Sequence, residues 1–529
     1  MKQLTLQDKF HALSPGTRAA ALVIFILSLA AYSGSFHAGF HFDDINQILE
    51  NRHVRDIGNV PRFFADAALA SGIPGRIGYR PVTFSTYAVN YAIGGYGVSG
   101  FHIVNFMLHV LNALMVFLVT GAVLKKTGAD SPGLPLASAL IFALHPVQTS
   151  AVTYVSGRSA LLASLFCLLS LYSFIRLREA GARPARYAWW AASLAFFVLG
   201  LLSKEMAVSA LGLMAAYQVI VEGPEKAGDR GPGPVLYIPY AAVLALYIYL
   251  KINTQGFLSS TGLDYGRYEY ILSQAKALLL YLRLLFLPVN QNSDYYLSVT
   301  RHLDFRALLG AASAVLAVAV LYGLRKKVRD VSFFGIWFFI CLAPESSLFP
   351  IDDIAVEHRL YLPSAGFIAA AVLSAARLLR TRRARTAAVF AVVLCLVPLT
   401  LSRNAVWADD YSLWSDVAVK APASPRAHAN LGMALAKRRE YDRALGELYR
   451  ALEIEPDYTW RARVYNNIGA CMRKTGKNAE AVSFFKKAIQ AEPALLDAYL
   501  NLAEIYREMG NFEERIRVLK AAQGLDPRL

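Results

Sequence analysis

The sequence predicts an all-α protein made of a polytopic, membrane-embedded helical bundle followed by an α-solenoid of helical repeats. Of its 529 residues, 56% are hydrophobic and only 17% are charged, whereas soluble domains carry about 25% charged residues. Apolar runs recur along the chain as far as Leu401 and then stop, and a helical motif repeats after that point. We therefore expect a membrane-embedded domain at 1–402 and an extracytoplasmic repeat domain at 403–529.

Eleven apolar runs are long enough to cross a bilayer, which takes about 20 mostly apolar residues. A twelfth run, 271–288, carries Lys276 and Arg283. Because charges are costly in mid-bilayer, we expect this run to be interfacial or re-entrant. The first run is predicted to be a spanning helix rather than a cleaved signal peptide, since no clear small-residue cleavage site ends it. The predicted spans are 19–35, 103–124, 134–151, 158–175, 187–203, 205–221, 234–251, 306–324, 331–348, 360–379 and 386–402.

The formal net charge of +16 lies mostly in the membrane half, because residues 403–529 carry only +3 of it. With eleven spans, the Lys and Arg clusters of the membrane half all fall on one side, and such clusters mark cytoplasmic loops. This predicts a cytoplasmic N-terminus and a repeat domain on the outer side. Nucleic-acid binding is not expected, because no basic cluster lies on a soluble domain. The clusters are Lys2 with Lys9 and Arg18, then 125–126, 176–186, 226–230, 325–329 and 377–385.

Three C-terminal segments align on one another: 428–456, 465–493 and 499–527. Their closing prolines lie 37 and then 34 residues apart, and Ala444 and Ala481 occupy the small-residue position of the second helix. The pattern resembles the tetratricopeptide repeat, whose period is about 34 residues. Such helix pairs stack into a solenoid with a concave face that binds peptides or proteins. Helical packing without any ligand is the alternative.

Polar and charged residues gather at the predicted outer ends of the spans. The loop 36–100 opens with Asp43 and Asp44, just past the first span. Two adjacent carboxylates can bind a cation, or one can act as a general base, while a solvated helix cap is the alternative. Acidic and basic groups on one side suit an anionic, membrane-embedded substrate. The other members of this set are Arg80, His102, His145, Arg158, Lys204, Glu205, Asp294, Glu357, His358 and Arg359.

The second predicted span carries His102, Asn105, His109 and Asn112, spaced by three, four and three residues. This spacing puts them on one helix face. A polar stripe in a span faces the bundle interior or a wet cavity. For His109 and Asn112 we favour hydrogen bonding between helices.

Seven motifs occur here in the order in which they occur in a known family. With the repeats, they resemble the TMTC proteins, which are transmembrane, tetratricopeptide-containing O-mannosyltransferases of the C-type glycosyltransferase (GT-C) fold. The resemblance covers most of the chain, although about three repeats make it more similar to a compact bacterial relative than to the animal members. The motifs are Phe42-Asp43-Asp44, Tyr79-Arg80-Pro81, Phe101-His102 with Asn105 and His109, His145-Pro146-Val147 with Gly157-Arg158, Leu202-Ser203-Lys204-Glu205, Leu287-Pro288 through Asp294-Tyr295, and Arg359-Leu360-Tyr361-Leu362-Pro363-Ser364.

The resemblance implies an active site on the outer side of the membrane, here the periplasmic side of a bacterial inner membrane. The donor would be a sugar carried on a polyprenyl phosphate, the acceptor a Ser or Thr hydroxyl of an exported protein, and the base Asp43 or Asp44. The leaving phosphate is already a stable anion, so the site needs cations to stabilise its charge rather than a second carboxylic acid to protonate it. A single displacement predicts inversion of the anomeric configuration. Candidate phosphate-binding residues are Arg80, Arg158, Lys204, His358 and Arg359, and candidate pocket residues are His102, His145, Glu205, Asp294 and Glu357.

Cofactors are less constrained by the sequence. The displacement itself requires none, and a divalent metal held by Asp43 and Asp44 stays an open alternative. The four cysteines are far apart and form no CxxC pair, which argues against a metal cluster or a disulfide scaffold.

Other functions remain compatible with the sequence. The same donor chemistry could serve a lipid or glycan acceptor, or the chain could be a non-enzymatic, membrane-anchored scaffold that works through its repeats. A transporter is disfavoured, because the spans show no internal duplication and no matching pair of Gly- or Pro-broken helices.

Overall fold

A computed structural model describes residues 15–71, 78–129, 131, 133–223, 234–255, 265–346, 350–351 and 353–525. Every regular element within these ranges is a helix, which confirms the all-α prediction. The chain forms two compact units. We call Met1–Gln291 with Leu297–Ala408 the membrane unit, and Asn292–Tyr296 with Asp409–Leu529 the repeat unit.

The membrane unit is a bundle of α-helices joined by short 3₁₀ and π turns. Single 3₁₀ or π turns fill much of the loop between the first helix and Ala70, at Ser33–His37, Ile45–Leu49, Arg52–Arg55, Ile57–Asn59 and Ala67–Ala70. The α-helices are α1 (Pro15–Tyr32), α2 (Val60–Phe63), α3 (Pro81–Gly94), α4 (Val98–Thr127), α5 (Gly133–Leu144), α6 (Thr149–Val152), α7 (Arg158–Glu179), α8 (Arg183–Leu201), α9 (Ser209–Ala216), α10 (Ile238–Gln255), α11 (Arg267–Phe286), α12 (Phe305–Gly323), α13 (Arg329–Leu342), α14 (Tyr361–Leu378) and α15 (Arg382–Val406).

Among the described residues, eight helical segments are long and apolar enough to cross a membrane. A ninth crossing is the pair Gly133–Leu144 and Pro146–Val152, bent by 53°. These nine match nine of the eleven predicted spans, so within the described ranges the number eleven is not reached. The eight segments are Pro15–His37, Val98–Thr127, Val155–Glu179, Glu205–Glu222, Val235–Asn253, Phe305–Lys326, Glu357–Leu378 and Arg382–Val406.

The two remaining predicted spans, 187–203 and 331–348, correspond to α8 and α13, which are not among the spanning segments. The first turn of α8 contains Arg183, Pro184 and Arg186, which lower its mean hydropathy. Helix α13 has only 14 residues, too few to cross about 30 Å of hydrocarbon at 1.5 Å per residue. Helix α11, which carries Lys276 and Arg283, is likewise not among the spanning segments, in agreement with its exclusion from the predicted spans.

Side chains of α4 connect it to neighbouring helices, as the polar stripe predicts. His109 Nε2 donates to the Ala143 carbonyl at 2.9 Å, and its Nδ1 accepts from the Tyr361 hydroxyl at 2.8 Å. Asn112 Nδ2 donates to the Leu161 carbonyl at 3.0 Å. The prediction of interhelical hydrogen bonding for His109 and Asn112 is therefore confirmed.

Two arginines from the predicted cytoplasmic clusters pair with acids of the bundle. Arg178 and Glu222 form an ion pair at 2.9 Å in which both side chains are 4% exposed. Arg377 donates to both carboxylate oxygens of buried Asp330, at 2.6 and 2.8 Å. Arg178 and Arg377 therefore help to stabilise the bundle. Lys2, Lys9 and the cluster 226–230 lie outside the described residues.

The repeat unit is built from antiparallel helix pairs. Ala444 and Ala481 are fully buried at the small-residue positions, and a Cβ on Gly432 or Gly469 would lie 2.7 Å from Leu448 or Phe485 of the paired helix. These close approaches fit the helix pairing of the first two predicted repeats, and Pro527, which closes the third, lies outside the described residues. The helices are α16 (Asp410–Lys420), α17 (Pro425–Lys437), α18 (Tyr441–Ile454), α19 (Arg461–Lys474), α20 (Asn478–Ala491), α21 (Leu496–Glu508) and α22 (Phe512–Leu525).

Candidate functional site

The turn at Phe42, Asp43 and Asp44 gives its two adjacent carboxylates different environments. Phe42 has a φ of 49°, a left-handed conformation that is rare for a bulky residue. The carboxylate of Asp44 is fully buried and accepts the N–H of His41 at 3.0 Å and the N–H and Oγ–H of Ser156 at 2.7 and 2.5 Å. Asp43 is only half-buried. Asp44 therefore anchors the turn, and Asp43 is the more accessible carboxylate.

A second turn, 152–157, supplies the Ser156 contacts. Asn105 Nδ2 donates to three of its carbonyl oxygens at 3.2–3.3 Å. Arg158 Nε donates in turn to Asn105 Oδ1 at 2.8 Å. At Gly157 the backbone passes so close to Ala151 that a Cβ would lie 2.3 Å from the Ala151 carbonyl oxygen. The shape of this turn therefore depends on glycine and on the Asn105–Arg158 pair.

Asp43 lines a cleft of about 250 Å³ in the membrane unit, together with Arg80, Glu205 and Lys251. Glu205 Oε1 lies 3.6 Å from Arg80 Nη2, and its Oε2 lies 3.5 Å from Lys251 Nζ. All three side chains are about one-third exposed, and such ion pairs contribute little energy. Both cations can therefore turn toward an incoming anion. We call this space the polar cleft, and its other lining residues are Asn46, Gln47, Ala70, Ser71, Gly78, Tyr79 and Phe84.

Hydrogen bonds at the start of α3 bring Arg80 to Glu205. Arg80 is the residue before the helix, and Thr83 Oγ1 in the first turn donates to the Ser203 carbonyl at 3.2 Å. This contact holds the helix start against the connection from α8 to Glu205. Burial disfavours the charged guanidinium, but Glu205, Glu345 and the other acidic groups around it together keep the pKa of Arg80 above its ordinary value.

Lys204 is near these groups but already has an acidic partner. Its Nζ lies 2.5 Å from Glu345 Oε1, and both side chains are 7% exposed. Removing one partner from a buried ion pair leaves an uncompensated charge. Lys204 is therefore not a ready contact for a substrate. His358, half-buried, packs its ring 6.5 Å from that of Tyr154.

Three rings form what we call the aromatic cluster: Phe42, Tyr154 and Trp407. Tyr154 stacks on Trp407 with centroids 6.0 Å apart, and Phe42 meets both edge-on at 5.8 and 6.1 Å. The Tyr154 hydroxyl also accepts the N–H of Asp43 at 3.2 Å. Tyr154 and Trp407 are buried, whereas Phe42 is 36% exposed. The cluster thus supports the turn that carries Asp43.

The first loop is also bound to the end of α15. His41 Nε2 donates to the Trp407 carbonyl at 2.9 Å, across 366 residues of sequence. The N–H of Gly39 donates to the Ala408 carbonyl at 3.0 Å. The position of the Asp43 turn therefore depends on the last residues of the membrane unit.

Family models described as tetratricopeptide repeat match residues 424–491 and 472–528. These ranges cover the helix pairs of the repeat unit. The C-terminal part of the chain therefore consists of tetratricopeptide repeats.

Curated relatives extend over the membrane unit as well. Protein O-mannosyl-transferase F38B6.6 of Caenorhabditis elegans is 24% identical over 455 residues, covering 83% of this chain and 63% of the relative. Protein O-mannosyl-transferase TMTC3 of Mus musculus is 23% identical over 586 residues, covering 96% and 60%. Protein O-mannosyl-transferase TMTC4 of Homo sapiens is 32% identical over 219 residues, covering 39% and 30%.

The homologues of this chain are the TMTC proteins. The chain spans about three-fifths of the length of the first curated relatives that it matches.

Solved structures show weaker similarity. The crystal structure of ArnT from Cupriavidus metallidurans bound to undecaprenyl phosphate matches 91% of this chain and 79% of its own, at 14% identity and a TM-score of 0.36. The crystal structure of MamA matches 31% of this chain and 90% of its own, at 19% identity and a TM-score of 0.21. Scores this low do not establish a shared fold.

Two predicted phosphate-binding arginines make hydrogen bonds within the membrane unit. Arg158 is fully buried, and its guanidinium donates to Asn105 Oδ1, to Asn90 Oδ1 at 2.6 Å and to the Phe101 carbonyl at 2.9 Å. Buried Arg359 donates to the backbone carbonyls of Ile354 and Asp353, at 2.9 and 2.7 Å. That they bind phosphate stays a prediction, and in this conformation both guanidiniums make hydrogen bonds within the membrane unit.

Three predicted pocket residues of the membrane unit also contact protein groups instead of lining the polar cleft. His102 Nε2 donates to the Ala38 carbonyl at 2.9 Å, and His145 Nε2 donates to the Leu285 carbonyl at 3.2 Å. Glu357 Oε2 lies 3.5 Å from Arg403 Nη2 and is buried. Of the five predicted pocket residues, only Glu205 lines the polar cleft.

Asp294 lies in the repeat unit, not in the membrane unit. Its carboxylate receives two hydrogen bonds from Arg426 of α17, one of them from Nε at 2.6 Å. That Asp294 lines a substrate pocket stays a prediction, and in this structure its carboxylate is bound by Arg426 within the repeat unit. Its role is to attach the segment Asn292–Tyr296 to the repeats.

Sequence reasoning missed four residues that the structure brings to the site: Lys251, Glu345, Tyr154 and Trp407. Lys251 and Trp407 follow apolar runs, where each resembles an ordinary interfacial anchor. Glu345 lies inside the predicted span 331–348, and an acid within a span suggests function. An acidic residue inside a predicted span could therefore have identified Glu345, whereas nothing in the sequence around Tyr154 indicates a role at the site.

Metal binding remains a prediction. Within the described ranges, no three His, Cys, Asp or Glu side chains are grouped to hold a metal ion. Asp43 and Asp44 have separate environments, so this conformation does not make them a joint chelate.

Replacing Asp44 should change how stability depends on pH. Burial raises the pKa of Asp44 from 3.8 to about 6, although hydrogen bonds from His41 and Ser156 oppose the rise. Its stabilising contribution is therefore complete below about pH 4 and disappears as the pH rises through 6. Over this window we expect the free energy of unfolding of the wild type to fall, relative to Asp44→Asn, by about 3 kcal/mol.

Denaturant unfolding of the detergent-solubilised proteins between pH 4 and 7.5 measures this difference. Glu50→Gln removes an exposed carboxylate from the same loop and serves as the control. A constant difference between wild type and Asp44→Asn across the range would contradict the prediction.

Proposed function

We propose that this chain is an integral membrane glycosyltransferase that moves a hexose, mannose first among the candidates, from a polyprenyl-phosphate carrier to Ser or Thr hydroxyls of proteins. The observation that carries the proposal is the polar cleft, where the accessible carboxylate of Asp43 shares about 250 Å³ with Arg80 and Lys251. The curated relatives named protein O-mannosyl-transferases support the sugar and the acceptor.

Arg80 and Lys251 would bind the donor phosphate. Their shared partner, Glu205, lies 3.5–3.6 Å from both cations, so a phosphate can replace it at modest cost. Arg offers a planar pair of donors, and Lys a compact charge. Lys204, which is buried with Glu345, would add to the electrostatic potential at the cleft without contacting the phosphate.

Asp43 would act as the general base. A Ser or Thr hydroxyl is a weak nucleophile, so its proton passes to Asp43 as its oxygen bonds to the anomeric carbon. The bond from that carbon to the phosphate oxygen breaks, and the electron pair leaves on the polyprenyl phosphate. Arg80 and Lys251 stabilise the negative charge that develops there. One displacement inverts the anomeric configuration.

We further propose that the polar cleft faces the periplasm and that the N-terminus is cytoplasmic. Helix α4 supports this orientation, because His102 lies near one end and Lys125–Lys126 at the other, in a helix of 30 residues or about 45 Å. Lys and Arg at a span end favour the cytoplasmic side. The tetratricopeptide repeats would then be exported and would recruit the acceptor protein.

The test is transfer by the purified chain in nanodiscs. Polyprenyl phosphate carrying labelled mannose is supplied with Ser/Thr-containing peptides, and products are identified by mass spectrometry. We expect one hexose added to peptide hydroxyls. Label transferred to a lipid or glycan would replace the protein acceptor with that alternative. Absence of transfer to any acceptor, with peptide still bound by the repeats, would favour the scaffold function and contradict the proposal.

A further inference from the structure

A second cavity of the membrane unit lies between α4 and α7, and its lining residues differ from those of the polar cleft. It has a volume of about 220 Å³ and lies near the ends of both helices, about 30 Å along them from Asn105 and Arg158. Both helices are among the segments able to cross a membrane. The cavity is therefore placed where these spans leave the hydrocarbon. We call it the end cavity, and it is lined by Phe117, Leu118, Gly121, Ala122, Lys125, Tyr172, Arg176 and Glu179.

The lining of the end cavity changes from apolar to charged toward the helix ends. On α4, Leu118 lies two turns before Lys125, and on α7, Tyr172 lies one turn before Arg176. The apolar lining residues are all partly exposed. The exposed apolar face of α4 continues away from the cavity through Leu111, which is 46% exposed. A phospholipid has the same order, with its acyl chains in the hydrocarbon and its headgroup at the interface.

The charged end of the cavity is open to an anion. Lys125 is exposed and, within the described ranges, makes no ion pair. Arg176 Nη1 donates to Glu179 Oε2 at 2.7 Å, but the two side chains are 43% and 25% exposed, and such a pair contributes little energy. The Arg176 guanidinium also lies 5.9 Å from the ring centroid of Trp189, a residue type enriched at the level of the headgroups. Two cations and one carboxylate leave this end with a net positive charge.

We propose that the end cavity binds one anionic phospholipid, with its phosphodiester between Lys125 and Arg176 and an acyl chain along the apolar lining. Basic pockets between membrane helices bind anionic headgroups, and Arg and Lys both bind phosphate. The single charge of a phosphodiester matches the surplus cation, and a headgroup hydroxyl can donate to Glu179. A polyprenyl phosphate fits less well, because it brings a second negative charge beside Glu179 and has no such hydroxyl. This inference does not depend on the proposed glycosyl transfer.

Native mass spectrometry of the full chain in detergent measures this binding. The probes are phosphatidylglycerol, phosphatidylcholine with the same acyl chains, and a polyprenyl phosphate. We expect the wild type to retain one phosphatidylglycerol, to bind phosphatidylcholine more weakly, and to keep its phosphatidylglycerol when an equimolar amount of polyprenyl phosphate is added.

The double variant Lys125→Gln, Arg176→Gln removes both cations. It should weaken binding of phosphatidylglycerol by about 25-fold, since each basic residue near an anionic lipid surface contributes about five-fold, and leave phosphatidylcholine unaffected. Both side chains are exposed, so the melting temperature in lipid-free detergent should stay that of the wild type. Lys126→Gln is the matched control, because it removes the same charge from the next residue, which does not line the cavity, and it should change neither affinity.

Equal binding of the two phospholipids by the wild type would overturn the proposal, as would equal losses in Lys126→Gln and in the double variant. Displacement of phosphatidylglycerol by equimolar polyprenyl phosphate would also overturn it, because the cavity would then belong to the carrier lipid. The wild-type comparisons decide the matter even if the double variant does not fold.

Discussion

Asp43→Asn is expected to lower the rate of hexose transfer by about 10²–10⁴-fold, the usual contribution of a general base. The amide keeps the size of the side chain but cannot accept the acceptor proton. Asp43 lines the polar cleft, while the anchoring bonds of the turn are made by Asp44. The variant should therefore insert, fold and bind the donor lipid normally.

Initial rates in nanodiscs measure the loss, and size-exclusion profiles report folding. Glu50→Gln makes the same chemical change in the same loop at an exposed residue outside the cleft, and it should transfer at the wild-type rate. Full activity of a correctly inserted Asp43→Asn protein would eliminate Asp43 as the base.

Arg158→Met is expected to reduce the free energy of unfolding by about 3–5 kcal/mol, because it removes the buried cation from a hydrogen-bonded network. The acceptors Asn105 Oδ1, Asn90 Oδ1 and the Phe101 carbonyl would lose their donors. The turn that binds Asp44 would lose support at the same time. Transfer activity should fall through loss of folded protein.

Arg80→Met is the matched comparison, because it removes the same functional group from a side chain that is about one-third exposed. We expect its unfolding free energy to stay near that of the wild type, while transfer falls by about 10²–10³-fold from the loss of one charge-stabilising contact. Denaturant unfolding and transfer rates on both variants test the contrast. A stable, folded Arg158→Met with selectively reduced donor binding would restore Arg158 as a phosphate contact.

These two arginines show how far sequence reasoning reaches in this molecule. Arg80 precedes Pro81 in the first outer loop and Arg158 follows Gly157 at the start of a predicted span, and local sequence assigns both the same role. What separates them is non-local: α4 supplies Asn105 to Arg158, whereas Glu205 and Lys251 share the cleft with Arg80. Such partners, more than 45 residues away in sequence, have no local signal.

Features that recur at a regular spacing along the sequence were predicted better than features that depend on distant contacts. The solenoid pairs and the polar face of α4 follow from repeat length and helical spacing, and both are confirmed. The separation of Asp43 from Asp44 depends on the backbone of Phe42 and on Ser156, which residue types alone do not encode. Two of the eleven predicted spans are not among the spanning segments of the described residues, because arginines at the start of α8 lower its mean hydropathy and α13 has only 14 residues.

The hydrogen bond from His41 to Trp407 has a consequence for the order of assembly during synthesis. Its partners are 366 residues apart, which a ribosome working at about 5–20 residues per second takes roughly 20–70 s to cover. Until Trp407 has emerged from the ribosome, His41 lacks the carbonyl to which it donates, and the rings of Phe42 and Tyr154 lack their contact with the Trp407 ring. The nascent chain therefore inserts its early helices before the turn around Asp43 is complete, and that turn is completed only when the last helix of the membrane unit has been synthesised.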